Sequence, residues 1–127
     1  MAYAKPVLEH TFKAYTDLSS YQYCFVKLTD GATVTVSGNN ERAIGILQNK
    51  PNAAGKEAVV MMLGLSPLKA NEAITIGQMI TPYTGGLGEV ADAASEWVAA
   101  VAIEAATAQN DIITVFLAHF DAYATDA

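Results

Sequence analysis

The sequence predicts a mostly β protein, a compact small barrel or sandwich of short strands with an extended N-terminal arm. From residue 21 onward, short apolar runs alternate with turn signals such as Asp30-Gly31, a dipeptide that favours a tight hairpin. Residues 32–37 read Ala-Thr-Val-Thr-Val-Ser, and this period of two is typical of a strand with one buried face. Many short strands at such spacing indicate an all-β architecture, but the pattern does not distinguish a barrel from a sandwich.

The individual strands are predicted from the apolar runs and from the breaks between them. The runs span residues 23–28, 32–37, 43–48, 57–63, 79–84 and 112–118, with shorter candidates at 68–70 and 74–76. Residues 64–67, which contain a glycine and a proline, are expected to end the most apolar run. Pro82 places its run at a sheet edge or a strand end. Residues 85–88 read Gly-Gly-Leu-Gly and predict a loop.

Residues 96–108 fit two kinds of secondary structure. Their many alanines favour a helix, and helical spacing would group Val98, Val101, Ala102 and Ala105. As a strand, the same segment would place on one face Trp97, Ala99, Val101, Ile103 and Ala105. Periodicity alone does not decide between the two.

The ends of the chain differ from its centre, so we divide it into an N-terminal arm (1–20), a β domain (21–118) and an acidic C-terminal tail (119–127). Pro6 disfavours a helix early in the arm. The arm carries scattered candidate anchors: Tyr3, Pro6, Val7, Leu8, Phe12 and Tyr15. The five anchors other than Pro6 contribute about 7–15 kcal/mol if buried, whereas ordering the arm's backbone costs roughly 20–40 kcal/mol. The arm therefore needs backbone pairing, most simply with a strand edge on a partner.

Composition indicates a partner for the folded domain as well. The 127 residues fit one domain, and 52% are hydrophobic while only 16% are charged, against a usual charged share of about 25%. A chain with so few charges is expected to have part of its apolar surface covered by a partner or by its own copies. The alternative is a large core beneath an uncharged polar surface.

Charge is distributed unevenly along the chain. The net charge is −6, Lys69 is the last basic residue, and eight acids follow it. Because nucleic-acid binding requires clustered Lys and Arg, this pattern disfavours DNA or RNA as a partner. The start of the chain lacks the features of a secretory signal, and no run of about 18 apolar residues predicts a membrane span. We therefore expect synthesis in a cytoplasm and no membrane partner.

The residue types that carry catalysis or bind metals are sparse. Cys24 is the single cysteine and lies in an apolar run, where an inert buried thiol is expected. His10 and His119 are far apart in sequence, which disfavours a zinc site. Residues 64–68 lack the second glycine of a nucleophile elbow, and residues 85–88 lack the lysine of a phosphate loop. We expect no enzyme activity, no metal and no cofactor.

Three groups of motifs resemble the phage capsid cement, or head decoration, family. Residues 43–60, Ala-Ile-Gly-Ile-Leu-Gln-Asn-Lys-Pro-Asn-Ala-Ala-Gly-Lys-Glu-Ala-Val-Val, are similar to that family's strand, Pro/Gly loop and Val-rich strand. Gly64 with Lys69-Ala70, and then Ile76-Gly77-Gln78, resemble the motifs that follow, with Gln78 at a position that is usually acidic. Residues 101–117 are similar to its closing strand pair, here joined by Gln109-Asn110-Asp111 without the usual glycine. The resemblance covers about residues 12–118.

The resemblance implies a β-rich structural protein that binds the outer surface of a phage head as a homotrimer and stabilises the coat lattice. It implies the major capsid protein as partner, the virion surface as location after synthesis in the host cytoplasm, and a strand at 98–106. Residues 1–11 lie outside it, so capsid binding by the arm rests on the physical argument above.

Two other classes of function stay open at this point. A trimeric phage surface module could recognise a host glycan or cell surface through its aromatic residues. A small hydrolase would need a pocket in which an acid meets His10 or His119. The commoner role of such aromatics and acids is a core, an oligomer interface or a solvated face.

Overall fold

The computed structural model describes residues 2–92 and 96–117. Within these ranges the chain forms nine strands and one short 3-10 turn, Thr84–Gly86. The strands are β1 Lys5–Ala14, β2 Phe25–Leu28, β3 Thr33–Val36, β4 Gly45–Leu47, β5 Glu57–Lys69, β6 Met79–Pro82, β7 Gly88–Val90, β8 Ala100–Ala102 and β9 Ile112–Leu117. The predicted all-β class is confirmed.

The first five strands close into a ring. Their order is β1-β3-β2-β4-β5, and β1 also pairs with β5, so the last strand returns to the first. The β1–β3 pair is parallel, and the other four pairs are antiparallel. A closed ring of this size has an interior that side chains fill. The first half of the domain is therefore a small barrel.

The second half uses β5 again. From Gly64 onward, β5 pairs with β9, and the order continues β9-β8-β6-β7. A bridge between Ala70, just after β5, and Gly88 brings β7, the last strand in this order, back beside the end of β5. The domain thus consists of two small barrel-like rings that share the 13-residue strand β5.

Each ring has its own core, and the strands between them serve both. One cluster of buried side chains contains Val26 and Val60, and the other contains Phe25 and Met61. All three residues of β4 are buried as well. Because successive residues of a strand point to opposite faces, the layer formed by β2, β4 and the first half of β5 buries both of its faces.

Several boundaries differ from the sequence-based expectation. The predicted break at residues 64–67 is wrong, because β5 continues through them to Lys69. Gly64 adopts a φ of 132°, open to glycine, at the point where β1 crosses β5. Pro67 lies in register with Thr114 of β9. Beyond Leu65, β9 is the only strand beside β5 in the described ranges, so the opposite edge of β5 is open there. An open edge can accept proline, which has no backbone N–H to donate.

Two other expectations agree with the structure. Pro82 ends its strand as predicted, and residues 100–102 form β8, in agreement with the strand interpretation of 96–108. The predicted loop at 85–88 is a turn only as far as Gly86, because Gly88 already begins β7. The tail 119–127 lies outside the described residues.

Candidate binding surface

The N-terminal strand β1 lies on the surface of the first barrel with one edge largely open. One edge pairs with β5 from Lys5 to Lys13, with a register shift between Pro6 and Leu8 and another before Glu9. The other edge pairs with β3 only at Lys13 and Ala14. Within the described ranges, the part of this second edge before Lys13 has no strand beside it. Such an edge can accept a further strand.

The candidate arm residues divide into a buried and an exposed group. Phe12 is only 8% exposed and packs in the core of the first barrel. Val7 is 73% exposed, Tyr15 60%, Leu8 49% and Tyr3 45%, and Pro6 is also exposed. Exposure this large is unusual for apolar side chains so close together in sequence. Val7 and Leu8 lie on β1, and Tyr3 and Tyr15 lie just outside its two ends.

The segment predicted as an arm is also part of the barrel wall. Ala14 and Leu18 are each 1% exposed and pack with Phe12 and Val26. Backbone bonds reinforce the attachment, since Leu18 N donates to Pro51 O at 2.9 Å. The pairing partner for the backbone, expected on another molecule, is within the chain on one edge of β1. Removing residues 2–18 would therefore delete core side chains along with the exposed ones.

The start of the chain crosses β9. Tyr3 N donates to Thr114 Oγ1 at 3.1 Å, and Thr114 N donates to Glu104 Oε1 at 2.9 Å. This bond to its carboxylate lowers the pKa of Glu104. The Lys5 ammonium lies 5.9 Å from the centre of the Tyr3 ring. The exposed apolar part of the arm thus begins beside the second barrel and runs towards the first.

A row of apolar side chains continues the exposed surface across the second barrel. Leu65 pairs with Phe116, Phe116 with Val101, and Val101 with Met79. Cross-strand partners project from the same face of a sheet, and Phe116 and Met79 are 40% and 41% exposed. Sequence analysis missed this row because its members come from four strands whose register the sequence does not reveal.

The side chains considered for chemistry are placed in ways that fit structural roles. Cys24 is 1% exposed, and burial raises the pKa of its thiol, an effect that Lys69 partly opposes. His10 makes an edge contact with Phe12, with ring centres 4.7 Å apart. His119 lies outside the described residues. Groups of three or more potential metal ligands are absent from the described residues.

The structure also bears on membranes. In residues 2–92 and 96–117, no helix has the length and apolar character needed to cross a bilayer.

Comparison with protein families decides the assignment. The family model for phage cement proteins matches residues 3–117, nearly the whole described region. The chain belongs to the phage cement protein family. Membership makes it a structural protein of the phage head that associates with the capsid, and the predicted family is confirmed.

A solved structure shares the fold of this cement-family chain. It is the N-terminal base of the head fibre protein gp8.5 of bacteriophage phi29, with a TM-score of 0.61 and 17% identity. The match covers 87% of this chain and 92% of that one. Among curated proteins, no sequence matches this chain.

Proposed function

We propose that this cement-family protein binds the outer surface of a phage head as a homotrimer, contacts the major capsid protein and stabilises the coat lattice. The family match over residues 3–117 carries the proposal. The fold shared with a phi29 head fibre base supports an external position, because that protein is by its description a head fibre.

The mechanism is mechanical and involves no chemical step at any side chain. A trimer presents three copies of each contact, so several weak contacts act together through a high effective concentration. If the trimer binds the assembled shell and not free coat subunits, binding stabilises the shell by mass action.

The exposed part of β1 is the proposed capsid contact. Its open edge offers backbone groups to a coat strand, and Tyr3, Val7, Leu8 and Tyr15 offer apolar side chains beside that edge. Phe12 anchors the strand in the barrel core, and Pro6 lies at the register shift that shapes the edge. Because β1 is already held by β5, binding orders less backbone than a free arm would, and more of the contact energy is retained.

A charge-based orientation completes the proposal. The acids that follow Lys69 would face solvent on the outer side of the head, where like charge opposes adhesion between particles.

The test is a binding experiment with purified protein and heads that lack it. The wild-type protein should co-sediment with heads and make them more resistant to heat. The double substitution Val7→Glu/Leu8→Glu should abolish both effects. The control is Ile76→Glu/Leu28→Glu, at side chains that are similarly exposed (69% and 44%) but lie outside residues 3–15. Equal loss in both variants, or in neither, would contradict the proposed contact. Binding to host cells or glycans in place of heads would support a host-recognition module.

A further inference from the structure

We propose that the C-terminal segment of this chain, residues 118–127, docks on the outer face of the second barrel. The docking surface is the line of residues Phe116, Leu65 and Lys5. Phe120 packs against the apolar side chains of this line, and Asp121 pairs with the lysine. The inference goes beyond the proposed capsid contact and does not depend on it.

The docking surface runs across three neighbouring strands at one level. Phe116 of β9 is in register with Leu65 of β5, and Leu65 is in register with Lys5 of β1. Cross-strand partners project from the same face of a sheet. Phe116 is 40% exposed, Leu65 is half-buried and Lys5 is exposed. The surface therefore leads from accessible apolar side chains to a positive charge.

The same face of β9 already carries the other end of the chain. Ile112, Thr114 and Phe116 alternate along this face. Thr114 is only 1% exposed, and its Oγ1 accepts the Tyr3 N–H at 3.1 Å. On either side of it, Ile112 is 42% exposed and Phe116 is 40% exposed. The N-terminal residues thus cover this face at Thr114, whereas Phe116 keeps a large accessible surface.

The C-terminal segment starts beside the docking surface and is long enough to cross it. It follows directly on Leu117, the neighbour of Phe116, and its sequence contains Phe120 and Asp121. Neighbouring strands are about 5 Å apart, so β1 at Lys5 lies roughly 10 Å from β9 across the sheet. Four residues of extended chain span about 13 Å. Asp121 can therefore reach Lys5 while Phe120 lies over the apolar part of the surface.

Covalent attachment favours this segment over a separate molecule. A segment tethered at Leu117 is present at an effective concentration on the order of millimolar. A contact formed by one aromatic side chain and one ion pair is sufficient under these conditions. A second copy or another protein would need a much larger complementary surface to bind at the same place.

Charge sets the direction in which the segment crosses the barrel. Lys5 lies at the β1 end of the docking surface. In the opposite direction, past β8 and β6, strand β7 carries Glu89. Further acids lie around Glu89: Glu72, Asp92 and Glu96. Because opposite charges attract and like charges repel, an acidic segment crosses towards Lys5. Asp121 then lies beside β1, apart from the acids proposed to face outward.

The test is limited proteolysis of the full chain with chymotrypsin, which cleaves after aromatic residues such as Phe120 and Tyr123. Cleavage at these two positions should be at least about fivefold slower than in a free peptide of residues 117–127, because it tracks the undocked fraction of the segment. Phe116→Ser should remove most of this protection. The matched control is Ile112→Ser, at a similarly exposed side chain on the same face of β9, which should keep it.

A charge swap tests the partner of Asp121. Lys5→Glu should raise the cleavage rate about twofold to fivefold, as loss of an exposed ion pair does. Adding Asp121→Lys should restore slow cleavage, with each rate divided by that of a peptide of the same sequence. Lys13→Glu is the control, at an exposed lysine near the other end of β1, and should leave the rate unchanged. Circular dichroism and thermal unfolding establish that each variant is folded.

Wild-type cleavage as fast as in the peptide would overturn the inference. Protection that survives Phe116→Ser in a folded protein, or a swap that fails to restore it, would do the same. Protection that is independent of protein concentration supports docking within one chain, whereas protection that grows with concentration would assign the surface to a second copy. Loss of head binding with unchanged protection would count only against the proposed function.

Discussion

Val60 and Met61 are neighbours on β5, yet their side chains fill different cores. Both are fully buried, Val60 in the first barrel and Met61 in the second. The shared strand therefore couples the two halves of the domain, since any change in its position affects both cores.

The shared strand predicts a single unfolding transition. Met61→Ala should cost about 2–5 kcal/mol and Val60→Ala about 2–3 kcal/mol of unfolding free energy, and each should shift the unfolding of both halves together. Denaturant titration checks this through fluorescence of Trp97, the single tryptophan, and through far-ultraviolet circular dichroism. The exposed Val7→Ala serves as control and should stay within about 0.5 kcal/mol of wild type. Two separate transitions after either core substitution would show that the barrels fold independently.

Gly64 sets the crossing of β1 over β5. A Cβ at this position would lie 2.5 Å from Lys5 O and 2.8 Å from Val7 N, and the φ of 132° strains any other residue. Gly64→Ala should destabilise the protein by about 1–3 kcal/mol and loosen the start of β1, seen as faster proteolysis near the N-terminus.

Substitutions at two other glycines separate the effect of backbone strain from the effect of steric overlap. Gly55→Ala introduces strain at a φ of 85° with no neighbour within 4 Å, and Gly31→Ala introduces neither strain nor contact. The expected order of destabilisation is Gly64, then Gly55, then Gly31. Proteolysis near the N-terminus that is equally fast in all three variants would contradict the role of Gly64.

The period-two strands were the part of the fold that local sequence could predict. Residues 32–37 alternate in the way a half-buried strand requires, and they contain β3, Thr33–Val36. By contrast, Gly64 and Pro67 read locally as a break, although the glycine permits a strand crossing and the proline lies beside an open edge. Such roles depend on contacts with β1 and β9, which are distant in sequence.

The candidate surfaces show the same limit. The arm residues were predicted from scattered apolar residues without a clear period, and the alternation of Phe12 with Ala14, a signal that part of the arm is a core strand, was not used. The charge asymmetry about Lys69 was visible, whereas the pocket lined by Lys50 and Lys69 was not. The two lysines come together because Tyr23 bonds both Leu47, at the end of β4, and Lys69, at the end of β5, and the sequence does not reveal these contacts.

The Cys24 thiol should be unreactive in the native protein. It is 1% exposed, and burial raises its pKa, so the thiolate is scarce at neutral pH. Labelling with a thiol reagent at pH 7–8 should be on the order of a hundredfold or more slower than in denaturant, because it requires local opening. As the only cysteine, it gives an unambiguous readout. Rapid stoichiometric labelling of folded protein would contradict this placement.

Glu89 should destabilise the single subunit at neutral pH. Burial and its acidic neighbours raise its folded pKa above the unfolded value, so the folded state holds a proton that the unfolded state has lost. The contribution of Glu89 to stability therefore falls as pH rises from the unfolded pKa through the folded pKa. Glu89→Gln should raise the melting temperature at pH 7, measured on dilute protein below the concentration of association. The gain should vanish below about pH 4, where both states are protonated; a gain that persists in acid would assign it to packing.

Glu104 should show the opposite sign. Its carboxylate accepts the Thr114 N–H at 2.9 Å, and this bond lowers its pKa in the folded state. The stabilisation is present above the unfolded pKa and is lost as pH falls through the lowered folded value. Glu104→Gln should therefore lower the melting temperature at pH 7, with a difference that shrinks below about pH 4. The glutamine amide keeps an acceptor oxygen for Thr114 N. The part of the melting-temperature difference that depends on pH therefore reports the effect of the carboxylate charge. A difference that is the same at pH 7 and in acid would mean that the hydrogen bond, and not the carboxylate charge, fixes this contact.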